Sequence, residues 1–195
     1  MATDARSSQT WVAVVVFVLG AFLHLPAGYF LRYARVDLLP SPGLFLAGVP
    51  LAIAAALVHE ALVRGKLYAA LQLALPAGLA APSAALAGAV VPLAARLYLF
   101  PVPNVPFPAV AGHVLMVEFV LSLGLTWIAL GTGSTRPGTA ALAALWILRM
   151  AFGVRFHGGA LPLLELAAAV AATLLVAKVL AEPLAPHRER LLGAA

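Results

Sequence analysis

At 195 residues, 64% hydrophobic and 10% charged, with a mean hydropathy of +1.04, the chain lacks the polar surface of a soluble domain, which carries about 25% charged residues. Its net charge of +5 comes from basic residues standing singly or in pairs beside apolar runs, which fits lipid anchoring and topology and excludes a nucleic-acid partner. With no cysteine, disulfides, thiolate metal sites, iron–sulfur clusters and thiol nucleophiles are excluded.

Several apolar runs exceed the roughly 20 residues that cross a bilayer core. They predict an all-α, polytopic integral membrane helical bundle of six transmembrane helices in one domain, multi-pass in the cell membrane, with lipid and other membrane subunits as its partners. The opening MATDARSSQT is polar and no A-x-A-like site closes a short apolar core, so the first helix is read as retained.

The first span is predicted over residues 11–31, with Trp11 and Tyr29 at the two interfaces and with His24 and Pro26 inside it. A linker with Arg32, Arg35, Pro40 and Pro42 leads to a second span, residues 44–63, which ends in His59 and Glu60 and is followed by Arg64, Gly65 and Lys66 as a turn. His59 and Glu60 are expected to be hydrated at the interface. Residues 68–97, broken by prolines, are too short for two crossings and read as one kinked span. PVPNVPFP, residues 101–108, is a stiff extended connection. The fourth span is residues 107–130, the fifth 139–156, the sixth 160–181.

Six spans put both termini on one side. Arg6, Arg64, Lys66, Arg136, Arg188 and Arg190 fall there, against Arg32, Arg35, Arg96 and Arg155 opposite, and this excess predicts cytoplasmic termini.

Ionisable groups at membrane depth are costly, so each should be paired or functional. At about 1.5 Å per residue, His24, His113 and Glu165 all come out roughly 8–10 Å below the outer face, with His157 at the outer end of the fifth span. Glu118 and Arg149 fall near the midplane on successive spans and are predicted to form a buried ion pair. Lys178 lies near the inner end of the last span and is expected to snorkel.

Histidines from two helices at matching depth suit bis-imidazole ligation of haem b. His24 with His113 is the candidate pair and His157 the alternative ligand. His113, His24 and Glu165 also form a donor set for copper or zinc. The chain has no H-E-x-x-H, no G-x-S-x-G and no phosphate-loop spacing, and Ser122 has no evident catalytic partner, so no enzyme activity of its own is indicated.

The stretch from His113 through GTGSTRPG to LWILRM resembles part of the haem- and copper-containing NnrS-type membrane proteins, which are related to the haem–copper oxidase core. The resemblance implies a haem or copper site to which His113 contributes; the closely spaced second histidine and adjacent H-E of that family are not present here. The leading expectation is therefore a haem- or metal-binding redox membrane subunit in electron transport. A small permease or transporter membrane subunit, with the Glu118–Arg149 pair lining its path, is the alternative, and a structural accessory subunit of a membrane complex the third.

Overall fold

The computed structural model describes residues 2–30, 34–38, 41–99, 107–156 and 161–185. Its first helical run is two helices, α1 (Ala2–Phe22) and α2 (His24–Phe30). Pro26 has no N–H to give to Phe22 and its ring crowds that carbonyl. Leu23 instead donates to Gly20 O at 3.1 Å, a tighter turn that separates the two helices. A short strand, β1 (Ala34–Leu38), follows and pairs antiparallel with β2 (Phe152–Phe156), Ala34 opposite Phe156 and Leu38 opposite Phe152. Apart from this ribbon every element among the described residues is helical, as the sequence predicts. The ribbon shortens the fifth span, whose helix ends at Ala151 and not at residue 156.

The largest correction concerns residues 60–76. The helix α3 (Pro42–Glu60) does not stop before a turn at Arg64–Lys66. It runs on through a π-helical segment, Ala61–Leu67, into α4 (Tyr68–Ala74). Gly65 weakens a helix by only about 1 kcal/mol relative to alanine, too little to end one in apolar surroundings. The break comes at Leu75, which is extended (φ −121°, ψ 153°) because a residue before proline is pushed out of the helical region. Residues 68–74, expected in the third span, therefore belong to the preceding helix. The next, α5 (Ala77–Leu99), contains Pro82 and Pro92. Then come α6 (Phe107–Thr132), α7 (Arg136–Ala151) and α8 (Leu161–Val179).

Among the described residues four helical stretches are long and apolar enough to cross a membrane: Ser8–Phe30, Phe45–Ala74, Gly78–Arg96 and Pro108–Thr132. Their packing relies on small residues, which let helix backbones approach closely. A methyl group placed on Gly20 would lie 3.0 Å from both Cα and Cβ of Ala172, so α1 and α8 meet almost backbone to backbone, while one on Gly124 would lie 2.5 Å from the Phe17 ring, which packs into the space that glycine leaves on α6. Phe17, Leu125, Ile128, Leu145, Val176 and Leu180 fill the centre. Thr173 on α8 donates to Val120 O of α6 at 3.0 Å, a polar tie inside this apolar wall. Leu46, Leu51, Leu57 and Leu73 point outward from α3 and α4, an apolar exterior.

α5 and α6 lie antiparallel, with Gly88 beside Ser122 and Arg96 beside Glu118, as do α3 and α7, with Gly48 beside Met150 and Glu60 beside Gly138, so the bundle has two ends. The ribbon marks one: α2 and α7 lead into its strands, and α3, α6 and α8 start there. The other holds the start of α1 and the end of α4.

Candidate functional site: two charged clusters joined by a cavity

Near the ribbon end, five side chains from four helices form one network. Arg96 of α5 donates from Nη1 to Glu165 Oε1 at 2.7 Å and from Nη2 to Glu165 Oε2 at 3.3 Å. Its Nη1 also reaches Glu118 Oε1 at 3.3 Å. That same Glu118 oxygen pairs with Arg149 Nη2 of α7 at 2.9 Å. His113 Nε2 lies 3.0 Å from Glu165 Oε2. A carboxylate only accepts, so Nε2 donates and Nδ1 is the ring nitrogen not used in this bond. With two arginines and two carboxylates the network is charge-balanced, which is what makes its depth tolerable. Glu118 and Glu165 are both buried.

Sequence reasoning placed His113, Glu118, Arg149 and Glu165 at depth, and the structure joins all four. Arg96, expected among the charges at the outer end of the third span, is the residue that links the two carboxylates. His24 lies within electrostatic range of Glu165, Arg149 and Arg96, but its own bond goes from Nδ1 to Ala21 O at 2.8 Å, leaving Nε2 as its lone-pair nitrogen. His157 lies outside the described residues. Among the described residues no three histidine or acidic side chains gather closely enough to hold a metal ion. Glu165 spends both its oxygens on Arg96 and His113. Lys178 is exposed on α8.

The second cluster was not expected. His59, Glu60 and Arg64, read from sequence as interface and loop residues, are buried. The π-helical segment explains how: Tyr68 N bonds Val63 O, five residues back, and the wider turn reorients the side chains around it. Arg64 Nη1 pairs with Glu60 Oε1 on its own helix. Its Nη2 donates to Ser122 O at 2.8 Å and to Ser122 Oγ, and Nε reaches Thr126 Oγ1 at 3.4 Å. Ser122 thus serves as a partner for a buried guanidinium. His59 Nε2 lies 2.9 Å from Gly88 O. A carbonyl only accepts, so this nitrogen donates and Nδ1 is left bare.

Two glycines make room for the cluster. A methyl group on Gly88 would fall 2.5 Å from Ser122 Oγ, and one on Gly138 2.7 Å from Glu60 Oε2. Gly138 is in the first turn of α7, so the Glu60 carboxylate faces the positive end of that helix, which favours an anion there. His59 also meets the Trp146 ring edge-on, with centroids 6.0 Å apart.

A small cavity of about 10 Å3, room for about one water molecule, joins the clusters. His59, Arg64 and Ser122 line one side, and Glu118 and Arg149 the other. On α6 the joining residues recur every fourth position, Glu118, Ser122 and Thr126, so one helical face is polar from end to end of the string. From His113 to Thr126, thirteen residues on α6, the polar axis extends about 20 Å. The chain matches no family model, no curated protein and no solved structure.

Proposed function

We propose that this chain is a small multi-pass permease or transporter membrane subunit, its six crossings made by the four long apolar stretches together with α7 and α8, and its cargo path running along the polar axis. The observation that carries this reading is the cavity between Arg64–Ser122 and Glu118–Arg149. Side chains of both charged clusters reach this void, whose remaining walls are Gly88, Pro92 and four leucines, and a path between the clusters needs such a space. An ion-pair chain drawn from successive helices also has a transport logic: Arg96 has two carboxylate partners, Glu118 and Glu165, and shares Glu118 with Arg149, so pairs can exchange as helices shift. The α3–α4 run and α5, a helix with Pro82 and Pro92 inside it, flank the axis.

The test is flux in proteoliposomes: protons, followed with an entrapped pH-sensitive dye under a potassium diffusion potential, and a panel of radiolabelled amino acids and simple sugars. The reading predicts protein-dependent flux of at least one of these, lost in Glu118→Gln. Wild-type vesicles no leakier than empty ones to every probe would contradict it.

A haem-binding redox subunit is the second reading. What favours it is His24: with Nδ1–H held by the Ala21 carbonyl, its Nε2 is free to ligate, the usual disposition of a metal-bound imidazole. His113, held by Glu165, offers Nδ1. A reduced-minus-oxidised spectrum of protein from haem-replete cells tests it. A Soret shift and sharp α band would support the haem; a flat spectrum with blank metal analysis would retire it.

A further inference from the structure

We infer that His59 and Glu60 form a proton-loading site at the far end of the axis from the ribbon, passing protons through the cavity toward Glu118. The inference rests on the transport reading and names its cargo as the proton.

Two polar atoms carry it. Among the described residues, His59 Nδ1 and Glu60 Oε2 are the buried side-chain atoms without a hydrogen-bond partner. Leaving such atoms unsatisfied in a buried site is costly. Both are proton acceptors, because Nε2 of His59 holds the ring proton and Glu60 Oε1 already pairs with Arg64. The two side chains are adjacent, with His59 Nδ1 3.5 Å from the other Glu60 oxygen, Oε1. A proton added to Nδ1 would turn it into a donor facing that oxygen. On Nδ1 it makes an imidazolium beside the carboxylate; on Oε2 it makes a neutral acid.

The position suits uptake. The stretch Phe45–Ala74 has 30 residues, about 45 Å of helix against about 30 Å of hydrocarbon. It must emerge from the bilayer before its end. Lys66 is exposed on it, and a lysine there belongs at the lipid headgroups. Glu60 lies six residues earlier, less than two turns inside.

The groups around the site set its sign. Arg64 is the near positive charge on its own helix. From α5 comes the Gly88 carbonyl, from α6 the Ser122 and Thr126 hydroxyls, and from α7 the Trp146 edge and the helix N-terminus at Gly138. Across the cavity stand Glu118 and Arg149. In the transfer a hydronium at the Lys66 end gives its proton to Oε2 or Nδ1 and leaves as water. Of the pair only His59 lines the cavity, so the proton leaves by way of its ring: a water in the cavity accepts it as Glu118 takes one from that water, and the Glu60–His59 pair returns to carboxylate and neutral imidazole.

The experiment is a pH titration of the protein in lipid nanodiscs, reading the protonated-carboxyl band in the infrared and the His59 ring by nitrogen NMR. It is paired with proton flux in proteoliposomes. We expect a carboxyl band that vanishes in Glu60→Gln and shifts in His59→Gln, and proton flux in His59→Gln reduced about tenfold or more, as for loss of a positioned proton-transfer group. His59→Gln keeps a donor for the Gly88 carbonyl, so it serves if Glu60→Gln fails to fold. A carboxyl band unmoved by His59→Gln, or proton flux equal to wild type in that variant, overturns the inference. If a solute crosses in a Glu118-dependent way with no proton flux, this inference falls and the transport reading stands. If nothing crosses, the transport reading itself falls.

Discussion

Glu118 Oε1 sits 2.9 Å from Arg149 Nη2 and 3.3 Å from Arg96 Nη1, so one carboxylate oxygen holds two arginines from different helices. Removing Glu118 strands Arg149 and leaves Arg96 to Glu165 alone, while removing Arg149 leaves the Glu118 carboxylate its bond to Arg96. Glu118→Gln should therefore destabilise the protein by about 3–5 kcal/mol, as for a broken buried pair, and Arg149→Gln by clearly less. Thermal unfolding in mild detergent reads the difference, and equal losses would contradict the shared-oxygen arrangement.

The Glu60–Arg64 pair gives a second asymmetry. Arg64→Met alone leaves Glu60 charged in the interior, and Glu60→Gln alone leaves Arg64 so. Each single change should be costly, and the double change should recover much of the loss, because a buried ion pair is stabilising mainly relative to its own halves. A double-mutant cycle measures this coupling. Additive losses would mean that the two side chains do not depend on one another.

Glycines supply a prediction about space. Gly88→Ala puts a methyl group 2.5 Å from Ser122 Oγ and 3.3 Å from Arg64 Nη2, overpacking that costs about 1–3 kcal/mol. Gly112→Ala, also in a helix, meets nothing within 4 Å and should be neutral or stabilising by up to about 1 kcal/mol. Comparing the two melting temperatures controls for helix propensity, which favours alanine in both. A Gly88→Ala protein as stable as Gly112→Ala would mean that α5 and α6 are not in close contact at the cavity.

These sites differ in how far they can be read from sequence. Glu118 and Arg149 can be matched without coordinates, because opposite charges in successive apolar spans have few other ways to be tolerated. Arg64 could not. Arg-Gly-Lys after an apolar run looks like a turn, and only the continuation of the helix to Leu75 moves that guanidinium indoors and takes His59 and Glu60 with it. Arg96 was misread for a related reason. It lies at the end of α5, where an arginine ordinarily reaches for headgroups, and its choice of Glu165 depends on how α8 packs. One signal was available and unused: the four-residue spacing of Glu118, Ser122 and Thr126 draws a polar stripe on α6. The β1–β2 ribbon had no such signal, since its strands lie more than a hundred residues apart.

The account's central claim is that this stripe faces a path that water can reach. The chain has no cysteine, so single cysteines can be introduced without background. Ser122→Cys and Thr126→Cys, with the outward-facing Met116→Cys for comparison, should be treated with a membrane-impermeant thiol reagent in proteoliposomes. The account predicts that positions 122 and 126 are modified, slowly but measurably, while 116 in lipid is not. Protection of both positions under conditions that label an interfacial cysteine would contradict it, and the two clusters would then be structural ties within a sealed bundle.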